Sequence, residues 1–321
     1  MDALNPIRCL AGLDEAGLGP ILGPLVVAGA ALAGPAGLDP WQALEPVVTR
    51  NRPRDRQIQV ADSKKVNQGR LGLARLERTA LAFWSTFSQR VPATARELLE
   101  QLGADTARIQ RCPWYESLEL RLPLALDPQD LELCTHHLDG ALRDASIRVL
   151  HLAVLPIEVE EFNASIAATD NKSATHLHHY VRVLAELLRR MAPGSTVLAD
   201  RCGGRAHYRH ALAAAFPDAT VVRLQESESI SSYDVRRRDG PGRVSFATGG
   251  EERAFPTALA SCLAKYVREV MVHALNDWFV ARVPGLARTA GYWVDGHRFL
   301  ADVAPLLERD ALPRDLLVRV R

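Results

Sequence analysis

Residues 16–38 carry no charged side chain over 23 positions, and the stretch begins directly after Asp14-Glu15. A run of that length is long enough to span a bilayer as a helix. It holds Pro20, Pro24 and Pro35 and six glycines, however, and a helix interior tolerates such residues poorly. The stretch therefore reads as strand, Gly/Pro turn and strand, with no membrane association. Residues 7–14 form one short apolar strand candidate and residues 25–32 a second. The tight link between them predicts a hairpin. Asp14 and Glu15 close the first strand. Burying two adjacent carboxylates there is costly unless a metal ion or a Lys/Arg joins them, and the alternative is an exposed acidic turn.

Further strands are predicted at 147–157, 195–200 and 219–224. Helices are predicted at 68–84, 131–145, 159–168, 174–191, 205–215, 256–280 and 299–309. Residues 231–236 and 243–248 flank Asp239-Gly240-Pro241-Gly242 and read as a β-hairpin with a turn-rich tip. Pro92, Pro113, Pro123 and Pro128 break the pattern across 86–130. The expected fold class is α/β: a mixed β-sheet flanked by helices, with a helical C-terminal region. It forms a single domain over residues 1–321, with an inserted subdomain at 86–146 and a β-hairpin insertion near 225–250.

With 321 residues, one large or two modest domains fit. The net charge of +1 excludes a strongly basic coat but leaves room for a local basic groove. Only Lys64, Lys65, Lys172 and Lys265 among the 39 basic residues are lysine. Five widely spaced cysteines without a C-x-x-C argue against a disulfide framework or structural zinc site, and fit a reducing cytoplasm. Residues 1–15 lack the basic start and apolar core of a signal peptide. The expectation is a cytoplasmic, monomeric protein. The early glycines are not followed by Gly-Lys-Ser/Thr, which argues against a nucleotide phosphate loop.

Asp200 ends a predicted strand and by itself reads as a cap or turn residue. Ser261, Lys265 and Glu269 fall at i, i+4 and i+8 and share one face of the helix at 256–280. Alone they are a solvated pair and its neighbour. Asp62-Ser63-Lys64-Lys65 alone is a charged loop. Taken together, Asp14, Glu15, Asp200 and Glu269 offer four hard oxygen ligands from separate segments, a set suited to two Mg²⁺ or Mn²⁺ ions. Two such ions roughly 4 Å apart activate water and stabilise the leaving oxygen in phosphodiester hydrolysis. Lys64, Lys65 and Lys265 would then contact phosphate.

Several segments carry a specific resemblance. Gly12-Leu-Asp-Glu-Ala-Gly-Leu-Gly-Pro-Ile-Leu-Gly-Pro-Leu-Val-Val27 resembles the opening motif of the bacterial type 2 ribonuclease H (ribonuclease HII) family. Asp62-Ser-Lys-Lys65 resembles its second motif, and Glu161-Phe-Asn163 a later strand-to-helix junction. Asp200 stands where the family has a strand-end Asp. Ala260-Ser-Cys-Leu-Ala-Lys-Tyr-Val-Arg-Glu269 resembles the family's Ala-Ser-x-x-Ala-Lys-x-x-Arg-Asp helix. Gly291-Tyr-Trp-Val-Asp-Gly-His297 resembles its late Gly-Tyr-x-x-x-x-His segment. The motifs run in family order from residue 12 to residue 297. The resemblance implies a ribonuclease H-like fold and metal-dependent cleavage of RNA in RNA/DNA hybrids, or of ribonucleotides embedded in duplex DNA. It carries Asp14, Glu15, Asp200 and Glu269 over as metal ligands. It gives Gly17, Leu18, Gly19, Lys64, Lys65, Ser261, Lys265 and Tyr292 to the substrate, with Tyr292 stacking on a sugar or base.

The chain departs from the family pattern at three positions. Leu18 stands where the family has the Arg of Gly-Arg-Gly, which removes a charged donor beside the phosphate. Glu269 replaces an Asp, and Ala290 a Lys. Two other readings stay open: a hybrid- or DNA-binding protein of this fold with weak or no nuclease activity, and a metal nuclease acting on DNA structures. The Arg-rich segment around Asp239 could grip a nucleic-acid backbone or be a solvated hairpin tip.

Overall fold

The computed structural model describes residues 7–238 and 240–320. Strands are β1 (Ile7–Ala16), β2 (Leu25–Pro35), β3 (Val48–Thr49), β4 (Ile58–Gln59), β5 (Arg148–Ile157), β6 (Thr196–Asp200), β7 (Thr220–Glu226), β8 (Ile230–Arg237) and β9 (Gly240–Ala247). Helices are α1 (Pro40–Ala43), α2 (Ser63–Val66), α3 (Gly72–Ser88), α4 (Ala95–Gln101), α5 (Thr106–Ile109), α6 (Pro128–Asp144), α7 (Val159–Thr169), α8 (Lys172–Arg190), α9 (Arg209–Ala215), α10 (Gly250–Arg253), α11 (Phe255–Val280) and α12 (Trp293–Arg309).

Seven strands form one mixed sheet in the order β5-β2-β1-β6-β9-β8-β7. β2 pairs antiparallel with both β1 and β5, as the hairpin reading required. β6 pairs parallel with β1, and β9 parallel with β6. β8 and β7 extend the sheet by antiparallel pairing. Three parallel strands, β1, β6 and β9, therefore bring their carboxyl ends to one edge of the sheet. In open α/β sheets that edge is where ligands bind.

The sheet is covered on both faces, which explains the uncharged run. Along β2, Val26, Ala28, Ala30 and Leu32 face the apolar cluster built with α3, α6, α11 and α12. Leu25, Val27 and Ala31 face the other cluster, built with α7, α8 and α9. With both faces packed and both edges paired, no position of β2 can carry a charge. Residues of α4, the Pro113–Tyr115 turn and α6 contribute Leu98, Leu99, Trp114, Tyr115, Leu131 and Leu138 to the first cluster. The segment at 86–146 thus shares one core with α11.

Other differences from the sequence reading are local. α12 begins at Trp293, not at 299, and the hairpin strands reach Arg237 and Gly240. Pro241 and Gly242 are therefore strand residues and not part of the tip, while Asp239 lies outside the described residues. The stretch at 86–130 holds short capped helices: Thr94 and Asp105 accept backbone N–H groups at the starts of α4 and α5. Among the described residues no helix is long and apolar enough to cross a membrane. The five cysteines are free, and all but Cys9 are buried.

One glycine lets α11 lie directly on β1. A Cβ on Gly12 would stand 2.1 Å from the backbone nitrogen of Thr257 and 2.4 Å from its Cα. Neither backbone can yield without moving the helix. Gly12→Ala is expected to destabilise the protein by about 3 kcal/mol, the upper end of ordinary overpacking. A urea-unfolding midpoint equal to the parent's would show that α11 is not seated this way.

Candidate active site

The close seating of α11 determines which side chains meet. Gly12 and Asp14 are two residues apart on β1 and share the sheet face toward α11. Thr257 and Ser261 are four apart on α11 and share its face toward the sheet. Thr257 anchors the helix by donating its hydroxyl to the Leu198 carbonyl of β6 at 2.6 Å. Asp14 consequently lies beside Ser261, whose hydroxyl partly offsets the upward push on its carboxyl. Ser261 Oγ also donates to Ser63 Oγ at 3.0 Å, tying the start of α2 to the same place.

Asp14 is buried and accepts the Glu15 N–H at 2.8 Å. Asp200 ends β6 and accepts the Gly250 N–H at 2.9 Å. A Cβ on Gly250 would stand 3.1 Å from the Asp200 Cα, so the chain leaving β9 passes tightly over the end of β6. That turn delivers Glu251 to the Asp200 carboxyl, within hydrogen-bond reach of it. Beneath them Tyr180 Oη donates to the Leu13 carbonyl at 2.9 Å and the Asp200 carbonyl at 3.2 Å, holding the ends of β1 and β6 together.

The electrostatics follow from this crowding. Burial, then the charges of Glu15 and Asp200, push the Asp14 carboxyl well above its usual range. Burial pushes Asp200 up, with Glu15 adding to it. Burial and the neighbouring Asp200 and Asp62 push Glu251 up as well. Glu15 Oε2 and Glu251 Oε2 are buried without a hydrogen-bond partner. His176 Nε2 lies 3.3 Å from Glu15 Oε2, close enough for an ion pair but without hydrogen-bond geometry. Mutually repelling carboxylates with unpartnered buried oxygens are the donor set that a hard divalent cation takes. Among the described residues no three His, Cys, Asp or Glu side chains already stand at ligating distance of a common point.

The structure brings Asp14, Glu15 and Asp200 together, and it places Glu269 elsewhere. Ser261, Lys265 and Glu269 do share one face of α11, but eight residues of helix separate Glu269 from Ser261 by about 12 Å along the axis. Its carboxylate accepts from Lys265 Nζ at 2.5 Å and lies 3.9 Å from Arg268 Nη1. The fourth carboxylate beside Asp200 is Glu251. The signal was present in the sequence, since Glu251-Glu252 stands just past the second strand of the predicted hairpin. Only the parallel pairing of β9 with β6 shows that this strand end reaches the same edge.

The other predicted substrate residues lie on separate segments: the loop after β1, α2, α11 and the residue before α12. Gly17 has φ +90° and lies under the buried Arg268: a Cβ there would stand 2.4 Å from Arg268 Nε. Its carbonyl accepts from Arg319 Nη1 at 2.5 Å, while Arg319 Nε donates to Gly23 O at 2.9 Å. Arg268 and Arg319, neither singled out by sequence reading, thus brace the glycine loop from below. Burial lowers Arg319 to about 9, with the Arg268 charge contributing. Leu18 is half-buried against the α7–α8 side, and Gly19 faces open space. Asp62 caps α2 by accepting the Lys64 N–H at 2.9 Å, and Lys64 is exposed. Lys65 Nζ pairs with Glu252 at 2.7 Å on the surface. Tyr292 immediately precedes α12 and is 52% exposed.

No family model matches this sequence, and no curated protein matches it. Among solved structures, the chain is similar to ribonuclease HII in its complex with PCNA from Archaeoglobus fulgidus, at 15% identity and a TM-score of 0.44, over 97% of this chain and 94% of that one. It is similar to ribonuclease H2 from Pyrococcus horikoshii OT3 at 12% identity and a TM-score of 0.42, over 97% and 92%. It is also similar to Bst-RNase HIII in complex with Mn²⁺, at 14% identity and a TM-score of 0.41, over 99% of this chain and 68% of that one.

Proposed function

We propose that this chain is a divalent-cation-dependent endonuclease of the type 2 ribonuclease H kind. It would hydrolyse the RNA strand of RNA/DNA hybrids, or ribonucleotides embedded in duplex DNA, leaving 5′-phosphate and 3′-hydroxyl ends. The observation that supports this most is the meeting of Asp14, Glu15, Asp200 and Glu251 at the carboxyl ends of three parallel strands, with buried oxygens that have no partner. These four residues, with Glu251 taking the place expected for Glu269, would hold Mg²⁺ or Mn²⁺. Bound there, the cations supply water activation and charge stabilisation at the leaving oxygen.

The chain's own residues do the rest. Ser261 orients the Asp14 carboxylate, and Tyr180 keeps the two strand ends in register. Gly17 and Gly19 let the strand approach the backbone closely. Lys64, Lys65 and Lys265 offer positive charge to its phosphates, and Tyr292 offers an exposed ring for stacking on a sugar or base. Selection for ribonucleotides rests on the motif resemblance, and Leu18 carries no charged donor to it.

The test is a cleavage assay with Mg²⁺ and Mn²⁺ in parallel on three substrates: a DNA duplex carrying one ribonucleotide, an all-RNA/DNA hybrid and plain DNA. Cleavage confined to substrates with a 2′-hydroxyl is the expected result. Equal cleavage of plain DNA would make the chain a nuclease for DNA structures. Binding of the hybrid without cleavage would favour the non-catalytic reading.

A further inference from the structure

A cleft of about 870 Å³ opens beside Glu251, and its lining interleaves Arg50, Arg52, Lys65 and Arg75 with Asp62, Glu251 and Glu252. Two of the basic residues, Arg50 and Arg52, stand on a pinned loop. The parallel pair β3–β4 closes both ends of residues 50–57. Gln57 holds the interior, donating Nε2 to the Pro46 carbonyl at 2.8 Å and accepting the Arg54 N–H at 2.9 Å. Arg50 stacks 4.1 Å over the Trp41 ring and donates to the Glu252 carbonyl at 2.6 Å. Arg75 donates to the Val66 and Gln68 carbonyls. Arg52 is exposed and makes no hydrogen bond or ion pair among the described residues. A guanidinium held at a cleft rim without a partner has its donors available, and an Arg fork matches phosphate geometry.

We infer that this loop forms a phosphate-binding subsite for duplex nucleic acid, with Arg52 as its principal contact. It would grip the backbone flanking the position where the carboxylates act. The inference rests on the nuclease reading only for what lies at the carboxylates, because the cleft itself requires only a polyanionic backbone. Neutralising one phosphate makes the slope of log K against log salt steeper by about 0.9 for duplex DNA.

The experiment is equilibrium binding of a labelled plain DNA duplex, in EDTA so that nothing is hydrolysed, across roughly 50–200 mM salt. The proteins are the parent, Arg52→Ala, Arg52→Glu and a control, Arg209→Ala, at an exposed position on α9 outside the cleft. Arg52 makes no hydrogen bond or ion pair among the described residues, so these variants should fold as the parent does, and matching melting temperatures check that. Arg52→Ala is expected to weaken binding and to flatten the salt slope by about 0.9, with Arg52→Glu weaker still and the control unchanged. A parent that does not bind the duplex, or an Arg52→Ala protein with the parent's slope, overturns the subsite. The readout needs no cleavage, so the two readings fail separately. A chain that cuts nothing but shows the Arg52-dependent slope keeps the subsite and loses the nuclease. A chain that cuts hybrids with an unchanged slope does the reverse.

Discussion

Asp14→Asn is expected to abolish hydrolysis while making the metal-free protein more stable. The loss of activity should exceed about 100-fold, since losing even an outer partner of a metal ligand costs 10- to 100-fold. The gain in stability comes from the same crowding. Burial, Glu15 and Asp200 raise the Asp14 carboxyl above its ordinary value of 3.8. Across the window that starts near that value and runs upward, the folded chain binds more protons than the unfolded chain. Stability from this group is therefore complete below the ordinary value and is lost as pH rises through the raised one. Asn carries no such penalty. The melting-temperature advantage of Asp14→Asn over the parent, measured in EDTA, should grow as pH is raised from about 4 toward neutrality. Adding Mg²⁺ or Mn²⁺ should reverse the order, because a ligand that binds only the native state stabilises it and the parent binds the cation better. A pH-independent advantage would remove the electrostatic account of the site. Turnover at the parent's rate would remove Asp14 from the chemistry.

Glu251→Gln and Glu269→Gln separate the two candidates for the fourth carboxylate. Glu251 lies against Asp200 with an unpartnered buried oxygen, so its loss should lower activity by more than about 100-fold and weaken the stabilisation by Mn²⁺. Glu269 is part of an i,i+4 pair with Lys265 whose side chains are only 16% and 27% exposed. Glu269 contacts Lys265 and Arg268 and none of the clustered carboxylates, and an i,i+4 helix pair contributes only about 0.3–0.5 kcal/mol to stability, so the activity of Glu269→Gln should stay within roughly threefold of the parent's. Matched kinetic and metal-titration series on the two variants decide the question. If Glu269→Gln is the crippled protein and Glu251→Gln the active one, the site sits further along α11 than its hydrogen bonds indicate.

The sequence determined most of the framework by itself. An uncharged stretch broken by Pro20, Pro24 and Pro35 had to be strand and turn, and β2 is uncharged because both its faces and both its edges are covered. Strand ends with carboxylates, Asp14-Glu15 and Asp200, were legible because an acidic residue closing an apolar run has few places to go. The i, i+4, i+8 face of α11 was also legible, since helical periodicity is a local property. Short helices between prolines at 86–130 were not, because their stability comes from Leu98, Trp114 and their neighbours packing on a distant α11. Tertiary structure alone decided which carboxylates meet. Sharing a helix face with Ser261 says nothing about the distance travelled along the axis, and that distance takes Glu269 away from Asp14 to Lys265 and Arg268. Glu251 reaches Asp200 because β9 pairs parallel to β6 and Gly250 lets the chain turn tightly over its end. The same is true of Arg319, whose guanidinium holds the loop at Gly17 and Gly23 from about 300 residues away. Strand pairing and helix seating are contacts between segments far apart in the chain, and no local pattern of residues records them.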